Sequence, residues 1–196
     1  GIFLHLTESG EKKFLTGVAT DSHRLSSSSL EIEDGKNFSS LILPKKTIFQ
    51  LCGLLQDVEK NVIMQTSETK VQFKIGSIKL ISKVIDGKFP DYEKVIPSDT
   101  RKEVLANVVD FISAVDRIKS LSADRKGVIK INIENNKIRF FINDTSSGEG
   151  IEEISAVYEG DNLEIGFNSG YLMDIANCIQ DENITLKPKD ATSPIV

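Results

Sequence analysis

The 196-residue chain contains little of what reactive or cross-linked sites require, with only two cysteines and two histidines. Cys52 and Cys178 lie among apolar residues on predicted helices, so we predict buried free thiols and no disulfide or metal site. No apolar run approaches the roughly 18 residues of a membrane-spanning helix. The N-terminus lacks the basic start and apolar core of a signal peptide. These absences argue against a disulfide-rich secreted protein and against a membrane span.

Motifs typical of common enzyme sites are also missing, namely G-x-x-x-x-G-K-[ST], G-x-G-x-x-G and H-E-x-x-H. Asp21-Ser22-His23 supplies two residue types of a catalytic triad, but no partner motif accompanies it. The acidic residues Asp86, Asp91 and Glu93 fit no recognised spacing of metal ligands, and lysines are interleaved with them. We therefore predict that the protein is not an enzyme and has no catalytic residue, metal or cofactor.

The net charge is −5, and it is unevenly distributed along the chain. Residues 1–96 carry 13 Lys and Arg against 12 Asp and Glu, a balance of +1. Residues 97–196 carry 11 against 17, a balance of −6. An acidic protein can still bind DNA where its basic groups gather on one surface, so net charge does not decide the function.

An internal repeat indicates two similar domains. Leu41-Ile42-Leu43-Pro44 reappears about 124 positions later as Ile165-Gly166-Phe167-Asn168, and an apolar-periodic helix follows each. Repeats of this length are whole domains. We place the domains at residues 1–95 and 96–196, with two of the five prolines in an irregular junction at residues 86–99. Comparison of the copies predicts an internal fragment, in which the first domain lacks its opening strand and helix and the second its closing strands.

Hydrophobic periodicity predicts short strands with a helix at intervals, an α+β pattern. The helices are expected after Pro44, after Asn107 and from Asn168 to about Ile179. The helix after Asn107 should bury a stripe at Val108, Phe111, Ile112, Val115 and Ile118. Strands are expected at 14–19, 28–32, 39–43, 62–66, 71–75, 78–84, 103–106, 128–133, 137–142, 151–158, 163–167 and 184–186, with a turn at 34–36.

Two segments carry a more specific signal. They are V-A-T-D-S-H-R-L at residues 18–25 and K-V-I-D-G-K-F-P-D-Y-E-K-V-I-P at residues 83–97, about seventy residues apart. Together they resemble the sliding clamp of bacteria, the beta subunit of DNA polymerase III, which has T-D-G-H-R-L and D-G-x-[FY]-P-D-Y at this separation. The resemblance runs along the whole chain. It implies the DNA-clamp fold and places the two domains as the family's middle and C-terminal domains.

The resemblance also implies a function. Clamps of this family are head-to-tail homodimers whose six similar domains close into a ring around duplex DNA, with sheets outside and helices lining the hole. The ring is a non-catalytic processivity factor of the bacterial cytoplasm. It holds DNA topologically, so weak, sequence-independent phosphate contacts are sufficient. It tethers the replicative polymerase, and its other partners are the clamp loader and repair proteins.

In the family, a pocket between the middle and C-terminal domains binds short linear peptides from these partners. Leu25, Pro90 and Val95 offer apolar walls, and the side chains of the turn offer hydrogen-bond donors. Ser22 stands where the family usually has Gly, so a positive φ there would be less favourable. Lys94 stands where many members have Arg and lacks the planar fork. The matching residues are Thr20, Ser22, His23, Arg24, Leu25, Pro90, Lys94 and Val95.

The resemblance implies DNA-facing cations on the helices. The candidates are Lys45 and Lys46 at the start of the first helix, and Arg117 and Lys119 on the second. Taken alone, these residues are better explained as ordinary solvated helix charges; it is the resemblance that favours the DNA-facing role for Lys45, Lys46 and Arg117, and Lys119 lies near the helix end. Two rival functions follow: a tandem-domain protein-interaction module without a DNA role, and an enzyme of unrecognised type.

Overall fold

The computed structural model describes residues 1–32, 38–56, 61–98, 100, 102–121, 127–144 and 148–196. The chain divides into two compact units, Gly1–Pro90 (unit 1) and Asp91–Val196 (unit 2). Both combine antiparallel strands with α-helix, which confirms the predicted α+β class. The turn expected at residues 34–36 lies outside the described residues.

In unit 1, four strands form one antiparallel sheet in the order β3-β2-β1-β4. The sequence pattern did not predict β1, because Ile-Phe-Leu-His-Leu is apolar on both faces and hides the period of two. The register pairs Phe3 with Val18 and His5 with Thr16, so these side chains share one face. The strands are β1 (Ile2–Ser9), β2 (Lys12–Thr20), β3 (Leu25–Ile32) and β4 (Leu41–Leu43).

The rest of unit 1 is a helix and a three-stranded meander. Helix α1 (Lys45–Leu55) follows Pro44, whose φ of −62° and ψ of 142° place it as the extended residue before the helix. The meander consists of β5 (Val62–Thr66), β6 (Lys70–Ile75) and β7 (Ile78–Lys83), in that order. A small core joins the two sheets and is built around the buried side chains of Leu41, Leu43, Val71 and Phe73.

Unit 2 has a larger sheet, with six strands in the order β12-β9-β10-β11-β8-β13. The strands are β8 (Val104–Asn107), β9 (Val128–Glu134), β10 (Lys137–Asp144), β11 (Gly148–Val157), β12 (Leu163–Asn168) and β13 (Asn183–Leu186). Its helices are a 3₁₀ helix (Tyr92–Val95), α2 (Val108–Ser120) and α3 (Ser169–Ala176). Its core is extensive and includes the fully buried Phe111, Phe140 and Tyr158.

The start of α2 is fixed by Asn107, as its sequence position predicts. The Asn107 side chain accepts hydrogen bonds from the backbone N–H groups of Val109 (3.0 Å) and Asp110 (3.2 Å). These bonds satisfy donors that the helix itself cannot pair. The predicted stripe faces the core, with Ile112 partly buried and four residues buried: Val108, Phe111, Val115 and Ile118.

The repeat predicted from sequence is visible as a repeated strand order. In unit 1 the sheet runs β3-β2-β1-β4 and α1 follows β4; in unit 2 the sheet contains β11-β10-β9-β12 and α3 follows β12. Unit 2 extends this sheet beyond β11 with β8 and β13. Two stretches with little residue-by-residue identity therefore share one local topology.

The prediction of buried thiols is wrong, since both cysteines are exposed. Thr47 is the buried residue of α1, so the helix stripe that includes Cys52 is only partly covered. Cys178 lies beyond the end of α3, which is three residues shorter than predicted. The last turn tightens there, because the N–H groups of Cys178 and Ile179 donate to carbonyls three residues back. No helix in the described ranges is long and apolar enough to cross a membrane.

Candidate functional site

The turn that joins β2 to β3 is organised by the carboxylate of Asp21. Thr20 and Leu25 form the last residue pair of the two strands. Asp21 Oδ1 accepts hydrogen bonds from the backbone N–H groups of His23 (3.1 Å) and Arg24 (3.0 Å). Asp21 Oδ2 lies 3.1 Å from Arg24 Nε. This Asx-type arrangement gives the carboxylate a structural task in the turn, unlike the triad role considered above.

Ser22 adopts the strained backbone conformation that its replacement of Gly suggested. Its φ is 75°, in the left-handed backbone region that residues other than Gly, Asn and Asp rarely adopt. Thr20 Oγ1 supports the turn, because it donates to the carbonyl oxygen of Arg24 (2.9 Å) and accepts from the N–H of Ser22 (3.3 Å). The side chains of Thr20, Ser22 and His23 are exposed, whereas those of Arg24 and Leu25 are partly buried.

The electrostatics of the turn follow from these bonds. The hydrogen bond from the backbone N–H of His23 is the largest cause that lowers the pKa of Asp21 from its ordinary value of 3.8. The Arg24 N–H and guanidinium lower the pKa of Asp21 further, and partial desolvation opposes them. The ionised pair of Asp21 and Arg24 thus holds the guanidinium close to the turn.

Pro90 is placed by the segment that follows β7. The N–H of Ile85 donates to the carbonyl oxygen of Ile42 on β4 (2.8 Å). Further along, the Phe89 ring stacks on Phe3 of β1, with centroids 4.9 Å apart and planes 10° apart. Since Phe3 pairs with Val18, two residues before Thr20, Phe89 covers the sheet face that carries Thr20 and Leu25. Six of the eight predicted peptide-site residues therefore belong to unit 1.

The other two, Lys94 and Val95, lie on the 3₁₀ helix of unit 2. Lys94 Nζ is 2.6 Å from the Asp91 carboxylate, and this hydrogen bond raises the pKa of Lys94. The side chain of Val95 is 57% exposed. Within the described residues, no three His, Cys, Asp or Glu side chains are grouped as metal ligands, and Asp91 is engaged by a cation of its own chain.

The cations of α1 lie in its first turn and are exposed. Lys45 Nζ is 5.5 Å from the centroid of the Phe49 ring, one turn further along the helix. Neither Lys45 nor Lys46 forms an ion pair with another described residue. Among the described residues, therefore, no carboxylate neutralises either charge at this helix surface.

The two candidate cations of α2 are less accessible to an outside anion than those of α1, for a different reason in each case. Arg117 Nη2 lies 2.8 Å from Glu152 Oε2 on β11, and this bond lowers the pKa of Glu152. The charge of Arg117 is thus partly neutralised within its own unit. Lys119 is partly buried and lies one residue before Ser120, the last residue of the helix.

Two family models match the chain in succession. The model of the DNA polymerase III beta subunit, central domain, matches residues 1–91, and that of the C-terminal domain matches residues 93–196. The chain belongs to the beta sliding clamp family. The beta sliding clamp of Caulobacter vibrioides (strain NA1000 / CB15N) is 35% identical over 195 residues, which cover 99% of this chain and 52% of the relative. That of Proteus mirabilis is 31% identical over 186 residues, which cover 94% and 51%.

Solved beta sliding clamps share this fold. A clamp from Bartonella birtlesii bound to griselimycin is 36% identical with a TM-score of 0.93, over 100% of this chain and 53% of that protein. The clamp from Caulobacter crescentus is 35% identical with a TM-score of 0.92, over 100% and 52%. The clamp fold predicted from the two motifs is therefore confirmed. The chain spans about half the length of the relatives that it matches.

The geometry of this clamp chain adds residues that the motifs alone did not indicate. The role of Asp21 in the turn was missed, although an Asp at the first position of a hairpin loop is a known signal for side-chain hydrogen bonding to the backbone two residues on. Phe3 and Phe89 were also missed as neighbours. Phe89 stands inside the quoted motif, but Phe3 lies on the strand that the sequence pattern did not predict, so their contact had no local signal.

Proposed function

We propose that this chain is part of a DNA replication processivity factor, a non-catalytic ring that encircles duplex DNA and tethers the replicative polymerase. The observation that carries the proposal is the succession of two clamp domains in family order over the whole chain. Similar domains joined in tandem can close a symmetric ring, and the full-length protein would do so as a homodimer. Such a ring retains DNA without base-specific contacts.

We further propose that Thr20, Ser22, His23, Arg24, Leu25 and Pro90 of unit 1, with Lys94 and Val95 of unit 2, bind short linear peptides of clamp partners. The support is chemical. Leu25, Pro90 and Val95 provide apolar contact for Leu or Phe anchors, and the turn before Leu25 offers polar groups. The partners proposed on this basis are the polymerase, the clamp loader and repair proteins.

The helix cations Lys45, Lys46, Arg117 and Lys119 are proposed to meet the DNA backbone. Lys45 and Lys46 support this role best, because they are exposed and form no ion pair with the described residues. Arg117 supports it less well, because Glu152 competes for the same guanidinium. Weak phosphate contacts of this kind orient the duplex and still allow sliding.

A peptide titration tests the binding site. We expect a labelled hexapeptide of the pattern Gln-x-x-Leu-x-Phe, with Ala at each x, to bind the full-length protein. Leu25→Ala should weaken binding about tenfold or more, since it removes apolar contact of about 1.5–3 kcal/mol when fully buried. Fluorescence anisotropy measures both affinities.

Leu30→Ala is the matched control. Leu30 lies on the same strand as Leu25 but on its opposite face, and 67% of it is exposed. It should leave peptide affinity unchanged. Equal affinity of wild type and Leu25→Ala would remove Leu25 from the site. No binding to the wild type would reject the peptide-binding function.

A further inference from the structure

The three-stranded meander of unit 1 has one covered face and one open face. On the covered face, Val71, Phe73 and Ile75 of β6 are 1%, 3% and 3% exposed. Ser82 Oγ of β7 lies 2.6 Å from Thr47 Oγ1 of α1 on the same side. Because side chains alternate along a strand, the residues between these point to the open face. We call the open face the lysine face, after its four exposed cations Lys70, Lys74, Lys79 and Lys83.

Each lysine of this face lies directly opposite another lysine. The strand register pairs Lys70 of β6 with Lys83 of β7, and it pairs Lys74 with Lys79. None of the four forms an ion pair with another described residue. The three strands and their turns contain these four lysines and one acidic residue, Glu68, a balance of +3 in a chain of net charge −5. Like charges in opposed positions destabilise a sheet, so the arrangement costs stability in the unbound protein.

The other sheets of the chain balance their cations with carboxylates. Lys13 of β2 faces Glu8 of β1, at 3.8 Å, and Lys130 Nζ of β9 lies 3.0 Å from Glu164 Oε1 of β12. Every Lys or Arg on the described strands outside the meander has such a partner, namely Lys12, Lys13, Lys130, Lys137 and Arg139. Unpaired lysines are therefore a feature of this one face and not of strand surfaces throughout the protein.

The lysine face also has a neutral centre. The two lysine pairs are four residues apart along β6, which is about 13 Å at the rise of a strand. The row between them consists of Gln65, Gln72 and Ile81. Gln72 Nε2 donates to Gln65 Oε1 (2.9 Å), so the two amides partly satisfy each other, whereas Ile81 is 61% exposed. The face thus presents two cationic positions with an exposed apolar side chain between them.

We propose that the lysine face binds an extended acidic segment of a partner protein, in which two carboxylates flank an apolar residue, as in Glu-x-Leu-x-Glu. In an extended chain these three side chains lie on one side, with the two Glu about 13 Å apart. That spacing matches the two lysine pairs, and the Leu falls on Ile81. The carboxylates neutralise the opposed lysines, so the repulsion present in the unbound protein is removed on binding.

The composition of the face favours an acidic peptide over a nucleic acid. Its described side chains include no aromatic ring on which a base can stack and no Arg that can bind a phosphate through two hydrogen bonds. An exposed Ile at the centre adds contact for an apolar side chain, which a phosphate backbone does not supply. The proposed site uses none of the residues of the candidate peptide site at positions 20–25 and 90–95, and it does not depend on that site.

Fluorescence anisotropy of a labelled Ser-Glu-Ser-Leu-Ser-Glu-Ser peptide with the full-length protein tests the proposal. The wild type should bind it, and affinity should fall as salt is raised. Lys70→Glu combined with Lys79→Glu places one acid in each opposed pair and makes the face neutral. Affinity should then fall about tenfold or more. The same double variant should melt about 1–3 °C higher than the wild type, because attraction replaces repulsion across the strands.

Lys12→Glu combined with Lys130→Glu is the matched control. It changes the net charge by the same amount at two exposed strand lysines that already have carboxylate partners, so peptide affinity should stay at the wild-type value. If either double variant fails to fold, the corresponding Lys→Gln pairs make the same comparison with half the change in charge.

Three results would overturn the proposal. The first is that the wild type does not bind the peptide, and the second is that Lys70→Glu with Lys79→Glu binds it as well as the wild type does. Either would leave the four lysines as ordinary solvated charges. The third is that an oligo-dT of similar length binds the wild type more tightly than the peptide and loses affinity in the same double variant, which would assign the face to nucleic acid.

Discussion

Asp21 organises the turn that carries five of the candidate peptide-site residues, namely Thr20, Ser22, His23, Arg24 and Leu25. One carboxylate oxygen accepts two backbone N–H groups and the other meets Arg24, so the Asp21 side chain, together with Thr20 Oγ1, closes the loop between β2 and β3. These bonds hold the loop while Ser22 occupies a φ of 75°. A non-Gly residue in this region costs about 1–2 kcal/mol, and the surrounding bonds must offset that cost.

We expect the Asp21 carboxyl to titrate below 3.8 in the folded protein, because the His23 N–H and then the Arg24 groups favour its ionised form. A depressed pKa stabilises the fold above the pKa of the unfolded chain. That contribution is lost as the pH falls through the lower, folded-state pKa. Carbon-13 NMR of the Asp21 carboxyl measures the midpoint.

Arg24→Gln is the informative variant for this titration. It removes the guanidinium and leaves the two backbone hydrogen bonds in place, so the midpoint should rise and still remain below 3.8. A wild-type midpoint at or above 3.8 would show that the carboxylate does not organise the turn in solution.

At the scale of elements, the two helices that carry candidate DNA-facing cations differ in how their charges are balanced. α1 presents Lys45 and Lys46 without a described acidic partner, whereas Arg117 on α2 is paired with Glu152 of the adjacent sheet. A phosphate must compete with Glu152 for Arg117. Lys46 should therefore contribute more to DNA affinity than Arg117, although both are helix cations.

This difference predicts the salt dependence of DNA binding by the full-length protein. The slope of log K against log salt is negative. Lys46→Ala should make it shallower by up to about 0.9 for each phosphate that the lysine neutralises in the wild type. Arg117→Ala should make the slope shallower by a smaller amount. Glu152→Gln should make it steeper, because it releases the guanidinium of Arg117. Affinity for a short duplex over a salt series measures these slopes.

Lys79→Ala is the charge-matched control, because Lys79 is an exposed cation on β7 of the meander and not on a helix. Its slope should equal that of the wild type. Identical slopes for all variants would show that the helix cations do not neutralise DNA phosphates and are ordinary solvated charges.

Local sequence signals predicted the elements that depend on local chemistry. Asn107 and the stripe after it predicted α2, because capping and the helical period are both local. β1 was missed because both of its faces are apolar. Cys52 was predicted to be buried because it lies on an apolar stripe. The prediction failed because such a stripe shows which side of a helix is apolar, but not how fully other elements cover that side.

The candidate site likewise has parts that local sequence signals predict and parts that depend on distant residues. The motif residues 20–25 and 90–95 were identified from sequence, but the register that brings Phe3 under Phe89 joins positions 86 residues apart. Such a contact depends on sheet pairing between β1, β2 and β4, which no local pattern encodes.

At the scale of the whole molecule, the proposed ring would retain DNA by enclosing it and not by tight contact. The chain is acidic, with a balance of −6 in residues 97–196. Affinity for duplex DNA comes mainly from phosphate neutralisation by local basic groups, so this net charge does not exclude DNA binding. Two clamp domains in succession are the observation on which the proposed ring rests.

The direct test is the lifetime of the full-length protein on closed circular and on linear duplex DNA of equal length, after loading with clamp loader and ATP. Enclosure predicts that the protein stays on the circle for much longer and leaves rapidly once a restriction enzyme opens it. Equal lifetimes on both DNA forms, or no retention on the circle, would contradict the ring.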